Sequence, residues 1–456
     1  MIDTEFILKS TGGELLSGNP GTEFQGISID SRRVNENDLF IAIEGENHDG
    51  HEFIIEAFDN GASGAIVDKI TLNSENITNK NIIKVSSTTS ALGKIANAWR
   101  NKFPKLKMIC ITGSNGKTTT KEMTYSLLSV KNKTLKNTGN LNNQIGLPLT
   151  LLKLDKQHRI CVSEIGMNDF GEISYLTGIA EPDVGTITNI GRAHLEKLIT
   201  VEGVARAKGE LVKDFNQENT FIVNADDKHI AALASNIECK QISYSLNNKD
   251  AEIYAENIIS DNLESINFNL VINGKSIPIH LKGIGKHNVM NALCASGIAY
   301  SLGYSLDEIK DGFESYRPVD MRLEVIKTPQ GFKIINDSYN ANPDSMSSAL
   351  KELSSLKENN KTIAVLGDML ELGENSSLEH KNIGEYIKTL DIDMVITYGE
   401  LSTNINKSLD SKIKNLHVDT HEQAAQMLIE NAGSSDIVLL KGSRGMQMEN
   451  TIKFLF

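Results

Sequence analysis

From Lys107 onward, short runs that are apolar at nearly every position alternate with helical stretches: KMICIT, then TTTKEMTYSLLSV, RICVSEIG, DVGTITNIG and TFIVNADD. Such a run has no polar face to offer water, so it belongs in a sheet covered on both sides, and neighbouring parallel strands need crossover helices between them. A central parallel-sheet domain is expected over residues 104–317, with ESINFNLVINGKSIPIHLKG alternating like a hairpin and KHNVMNALCASGIAYSLGY reading as a helix.

The alternation starts again after Arg317-Pro318 with GFKIINDSY, KTIAVLGDM, DMVITYGE and DIVLLKGS, which predicts a further α/β domain over 318–456. Residues 1–103 repeat the pattern on a smaller scale, in DLFIAIEG, SGAIVDK, NIIKVSS and the helical HEFIIEAFDNGA. At 456 residues the chain is too long for one core, so three α/β domains are expected.

Charge narrows the function. With 46 basic and 59 acidic residues the chain carries a net charge of −13, which argues against wrapping nucleic acid or adhering to anionic lipid. Cys110, Cys161, Cys239 and Cys294 are far apart and show no Cys-x-x-Cys spacing, as expected of small buried hydrophobes in a reducing compartment. Asp3 and Glu5 stand where a signal peptide would carry Lys or Arg, and no apolar run approaches the roughly 18 residues of a membrane helix. A cytoplasmic protein without membrane insertion is expected.

The run KMICIT leads into Gly113-Ser114-Asn115-Gly116-Lys117-Thr118. A helix beginning near Lys117 would aim its free N–H groups and positive dipole end at whatever the loop encloses, which makes a phosphate site. Lys117 would neutralise β/γ-phosphates, and the Thr118 hydroxyl would bind Mg²⁺. A turn that merely joins strand to helix is the competing reading, disfavoured because loop, lysine, threonine and context occur together. The loop is a variant form, since Ile111 stands where the common P-loop has its first glycine. Asn247-Asn248-Lys249-Asp250 has the wrong order for a guanine-reading Asn-Lys-x-Asp, so a G protein is not expected.

Glu164 and His194 follow apolar runs of the same domain, and the carboxyl ends of parallel strands line the ligand crevice, so both are expected to face a triphosphate together with Thr118. A solvated glutamate and a structural histidine are the alternatives. Lys208, in ARAKGE, reads on composition as a surface lysine.

Four segments, Thr112 to Thr118, Ser163-Glu164-Ile165-Gly166-Met167-Asn168, Ala193-His194-Leu195-Glu196 and Ala207-Lys208-Gly209-Glu210, resemble in order and spacing the Mur ligases of bacterial cell-wall synthesis. Further segments are similar to one branch of that family: Asp30-Ser31-Arg32, Gly45-Glu46-Asn47-His48-Asp49-Gly50-His51, Asn140 to Pro148, Asn336 to Met346, Leu366 to Gly373 and Lys441-Gly442-Ser443-Arg444.

The resemblance implies a small UDP-sugar-binding N-terminal domain, a central ATP-binding P-loop domain and a C-terminal Rossmann-like ligase domain. It implies an ATP-dependent amide-bond-forming ligase of peptidoglycan precursor synthesis, acting as a cytoplasmic monomer. The branch adds D-alanyl-D-alanine to UDP-N-acetylmuramoyl-tripeptide through an acyl phosphate, with ATP and Mg²⁺.

Residue by residue, the resemblance implies catalytic roles for Lys117, Lys208, His194 and Glu164, with Lys208 carbamoylated. Metal contacts fall to Thr118, Glu164, His194 and Lys208. Nucleotide contacts fall to Gly113, Ser114, Asn115, Gly116, Lys117, Thr118 and Thr119, then to His287-Asn288, Arg322, Asp337 and Tyr339. Asp30, Ser31 and Arg32 would hold the uridine diphosphate end, and Asn140, Asn142 and Asn143 the sugar or peptide, with Asn340 a further substrate contact. An exposed arginine, an asparagine-rich turn and a turn role for Asp337 and Asn340 explain those last residues nearly as well. The rivals are a related amide ligase such as folylpolyglutamate synthetase and a P-loop protein that binds ATP without joining substrates.

Overall fold

A computed structural model describes residues 2–45, 47–70, 79–261, 263–357 and 360–456, which pack as two compact units. The first comprises residues 1–110, 133–166 and 172–182, and the second residues 111–132, 167–171 and 183–456. Glu46, within one of the family-like segments, lies outside the described residues.

The first unit contains a five-stranded sheet in the spatial order Glu14–Ser17, Asn81–Lys84, Gly64–Val67, Leu39–Ile41, Ile27–Ser28. All neighbours are parallel except the first pair. The helix Thr88–Arg100 starts where the Ser87 side chain accepts from Ser90 N, and it buries Ala91, Leu92 and Ile95 against Ile7, Leu39, Ile66 and Ile83. Each such Leu or Ile side chain contributes about 1.5–3 kcal/mol by leaving water. Further along, Thr134–Lys136 pairs in parallel with Ile160–Glu164.

The strand Lys107–Thr112 carries the chain from the first unit into the second. There Val184–Ile187, Thr220–Asn224, Lys240–Ser245 and Ile253–Asp261 run parallel in that order, and Ser265–Ile272 and Lys275–Lys282 continue the sheet antiparallel. The hairpin between the last two turns at Asn273 (φ 46°) and Gly274 (φ 76°), the left-handed pair that an Asn-Gly dipeptide supplies at low strain.

The second unit also holds a six-stranded sheet in the order Glu324–Lys327, Lys333–Asp337, Ile437–Lys441, Thr362–Gly367, Met394–Tyr398, Lys414–Val418, antiparallel only at its first pair. Alternate residues of one strand serve two cores: Ala364 and Leu366 pack with Leu350 and Leu353 on one face, Ile363 and Val365 with Leu428 on the other. Burial on both faces is the reason the inner strands Ile437–Lys441, Thr362–Gly367 and Met394–Tyr398 read as nearly continuous apolar runs. Among the described residues no helix is long and apolar enough to cross a membrane. Cys110, Cys161 and Cys294 are buried free thiols, and Cys239 is half-buried.

Candidate active site

The phosphate loop is shaped by two glycines. Gly113 has φ 148°, and a Cβ there would lie 1.9 Å from Thr188 Oγ1; Gly116 caps the helix Lys117–Ser129 at φ 78°, where a Cβ would lie 2.4 Å from Asn291 Oδ1. Both are left free to bring the backbone close to its neighbours. Asn189 holds the loop in register: Ser114 N donates to its carbonyl at 2.9 Å, Asn115 N to its Oδ1 at 2.9 Å, and its Nδ2 donates to Asn115 O at 2.9 Å. Thr188 Oγ1 donates to Asn115 O at 2.6 Å. Lys117 folds back, with Nζ donating to Gly113 O at 2.8 Å, so its positive charge is held against the loop that leads into the first helical turn and its free N–H groups. Thr119, next in the helix, is buried.

Residues far along the chain converge on this loop. Arg322 Nη2 donates to Thr118 Oγ1 at 2.8 Å, and its guanidinium lies 4.0 Å from the Tyr339 ring centre. Its Nε is buried and has no hydrogen-bond partner among the described residues. Met321 (φ 57°) and Leu323 (φ 53°) on either side both adopt the left-handed region, a local strain that persists where the surroundings enforce it. Asn342 Nδ2 donates to Asn115 Oδ1 at 2.8 Å. Asp337 ends its strand in an ion pair with buried Lys441, whose Nζ also donates to Asn340 O at 3.1 Å. The Asn340 side chain accepts from Ala341 N at 2.9 Å and Arg444 N at 3.3 Å, a turn role.

His194 sits at φ 55° before the short helix Leu195–Leu198, with Nδ1 3.0 Å from Glu371 Oε2. That hydrogen bond is the main cause holding the Glu371 carboxyl below its ordinary range. Lys208, in the last turn of the helix Val201–Gly209, is only 1% exposed, which corrects its reading as a surface lysine: its helix turns this position inward among Val204 and Ala207, both fully buried. Asn288 is buried, its amide donating to Ile284 O at 2.7 Å and accepting from Asn291 Nδ2 at 3.2 Å. Beside it, desolvation lowers the pKa of His287. An open cleft of 610 Å³ is lined by Asn189, Gly191, Arg192, Glu202, Asp227 and Asp344 among others.

Other expected residues lie in the first unit. Glu164 is buried, and its Oε1 accepts from Asn142 Nδ2 at 3.0 Å, while Asn137 holds its backbone from both sides. Asn143 Oδ1 accepts from Gly146 N at 2.9 Å and so starts the helix Gly146–Leu151; Asn140 is exposed. Arg32 forms its fork, but with Asp30: Nε to Oδ1 at 2.9 Å and Nη2 to Oδ2 at 3.0 Å, which lowers the Asp30 pKa. Buried Ser31 donates to Glu56 Oε2 at 2.7 Å. Among the described residues no three His, Cys, Asp or Glu side chains gather as a cation site. Asn189 and Asn342 escaped the sequence reading, although both stand inside segments it had singled out or adjoined.

Family patterns match three stretches of the chain: the Mur ligase family catalytic domain at 23–100, the Mur ligase middle domain at 111–299 and the Mur ligase glutamate ligase domain at 321–444. The UDP-N-acetylmuramoyl-tripeptide:D-alanyl-D-alanine ligase of Bacillus subtilis is 36% identical over 95% of this chain and 93% of its own length. The crystal structure of MurF from Acinetobacter baumannii superposes with a TM-score of 0.91 at 34% identity, covering 99% of this chain and 98% of that one. MurF ligase from Thermotoga maritima in complex with ADP superposes with a TM-score of 0.85 at 29% identity, covering 95% and 97%. With a phosphate loop met by Arg322 and Asn342 from its C-terminal part, and with these full-length likenesses, the chain belongs to the Mur ligase family and has that family's three-domain α/β fold.

Proposed function

We propose that the protein joins D-alanyl-D-alanine to UDP-N-acetylmuramoyl-tripeptide at the expense of ATP, in peptidoglycan precursor synthesis. The observation that carries this reading is Arg322. Strained backbone holds its guanidinium between Thr118 of the phosphate loop and the Tyr339 ring, with a buried Nε left over. That sets a positive charge against the loop where a nucleotide's phosphates would lie.

An amine does not displace hydroxide from a carboxylate at useful rates, so the carboxylate must first be activated. In this reading the tripeptide carboxylate attacks the γ-phosphate of ATP, releasing ADP and leaving an acyl phosphate; the dipeptide amine then displaces phosphate through a tetrahedral intermediate. Lys117 and the N-terminal turn of its helix neutralise charge on the transferred group, and Arg322 orients the phosphates. The docked C-terminal sheet keeps water from the acyl phosphate. A Mg²⁺ ion held by Thr118, Glu164, His194 and carbamoylated Lys208 would supply further charge neutralisation. The Thr118 hydroxyl, the Glu164 carboxylate and a carbamate formed when the Lys208 amine captures CO₂ are oxygen donors of the kind Mg²⁺ prefers, whereas His194 would offer nitrogen.

Domains at 1–103, 104–317 and 318–456 would be the UDP-sugar-binding, ATP-binding and ligase domains, with Asp30, Ser31 and Arg32 on the uridine diphosphate end, Asn140, Asn142 and Asn143 on the sugar or peptide, Asn340 a further substrate contact, and Asn288, Asp337 and Tyr339 completing the nucleotide site. The protein would act as a cytoplasmic monomer. The test is phosphate release from ATP and Mg²⁺ with UDP-N-acetylmuramoyl-tripeptide, with and without D-alanyl-D-alanine. Release that needs both, with a product heavier by one dipeptide less water, is expected. Release only with a folate and glutamate would overturn the substrate assignment, and binding without release would overturn the reaction.

A further inference from the structure

The loop that follows Val184–Ile187 does more than support Ser114 and Asn115. Gly191 N donates to Ser114 Oγ at 2.9 Å, and Ser114 Oγ lies 3.3 Å from Gly191 O, so this loop and the phosphate loop are bonded in both directions. Arg192, the next residue, is engaged at backbone and side chain by one carboxylate. Asp344 Oδ2 accepts from Arg192 N at 2.6 Å, and its Oδ1 lies 2.9 Å from both Nε and Nη2. The remaining guanidinium nitrogen, Nη1, lies 2.9 Å from Glu379 Oε2.

An isolated surface ion pair would carry little meaning. This one is built on both sides. Asp344 stands in the first turn of the helix Pro343–Ser355, where Asn342 and Ser345 form a capping box, Pro343 occupies the first position and a carboxylate favours the positive helix end. A Cβ at Gly191 would lie 2.4 Å from Asp344 Oδ2, so the approach depends on glycine there. Glu379 is largely buried. Two residues before Asp344, Asn342 reaches Asn115. The first turn of one C-terminal helix thus rests on the phosphate loop at two points, directly through Asn342 and through Arg192 by way of Gly191 and Ser114.

We infer that Arg192 is a positioning residue which, through Asp344 and Glu379, holds the C-terminal sheet docked on the phosphate loop and thereby keeps Arg322 and Tyr339 in place for the reaction. Its effect on turnover rests on the ligase reading above; its effect on docking does not. Arg192 touches no reacting atom in this role, so its removal acts on catalysis only through the docked geometry.

The test uses the full chain with Arg192→Gln, Asp344→Asn and the double variant. Hydrogen exchange followed by mass spectrometry over residues 189–196 and 340–346 reads docking directly, and thermal melting monitors the fold. Expected is exchange at least tenfold faster in both segments for each single variant, with the melting temperature essentially retained. Turnover is expected to fall about tenfold, with the double variant no worse than the worse single one, and wild-type turnover to fall between 50 and 500 mM KCl more steeply than that of Arg192→Gln. The conservative Arg192→Lys is expected to recover part of both readouts. Unchanged exchange, or unchanged turnover in both single variants, would overturn the proposal. Faster exchange in a protein that turns over no substrate even as wild type would support the docking role while removing the ligase reading.

Discussion

Replacing Gly113 with alanine tests whether the loop geometry, rather than its charge alone, carries catalysis. The added Cβ would lie 1.9 Å from Thr188 Oγ1, where ordinary contact begins at 3.4 Å, a shortfall of about 1.5 Å. Rotating the hydroxyl away does not resolve it, because Thr188 N would still lie 3.0 Å away and the Thr188 bond to Asn115 O would be broken. The backbone at φ 148° adds strain of about 1–3 kcal/mol for a residue with a side chain. Relief therefore has to come from displacing the loop by about an ångström, a misplacement that costs about 10²-fold in rate, or about 2.7 kcal/mol of transition-state stabilisation. Steady-state kcat/KM for ATP, read by phosphate release, is expected to fall about 10²-fold with the urea midpoint only moderately lowered. Gly303→Ala serves as the control: φ is 80° but nothing lies within 4 Å, so backbone strain appears without a clash and activity is retained. A Gly113→Ala enzyme within threefold of wild type would refute the argument.

Lys117→Ala is expected to reduce turnover by about 10³-fold, since its Nζ is a cation held against the loop backbone at Gly113; near-normal turnover would remove the phosphate-site assignment. Lys208→Ala should be inactive and partly restored by short-chain carboxylic acids, whereas full activity without them would exclude the carbamate. Because the His194 hydrogen bond depresses the Glu371 carboxyl in the folded protein, its stabilisation is present above the unfolded value, about 4.3, and is lost as pH falls through the folded value. Wild type should therefore exceed Glu371→Gln in urea midpoint at pH 6, with the gap closing below pH ~4, and a gap independent of pH would contradict it. Burial pushes Cys161 up to about 12 and Cys294 up to about 11, and Cys110 higher still, so iodoacetamide at pH 8 should label half-buried Cys239 first, with peptide mapping as the check. Early labelling of Cys161 or Cys294 would contradict it.

Much of this protein was legible locally. A strand buried on both faces must be apolar throughout, so MICIT and IAVLG announced themselves; a loop of two glycines, a lysine and a threonine between strand and helix needs no distant information, nor does the hairpin-like alternation of ESINFNLVINGKSIPIHLKG. Strands with mixed faces stayed hidden. Ile253–Asp261 and Lys414–Val418 alternate with polar residues because one side of each is less covered, and Glu324–Lys327 sits at a sheet edge.

Tertiary structure alone decided which named residues meet. Arg322 reaches Thr118 across 204 positions of sequence, and Arg192 reaches Asp344 across 152. Nor could a reading of composition turn Lys208 inward, or place Met321 and Leu323 in left-handed backbone. Turn chemistry and hydrophobic period act between neighbours in the chain, and so are written there. Burial of a charge, a strained φ and a long-range ion pair are set by what the rest of the fold packs against them, and each persists only because many other contacts offset its cost.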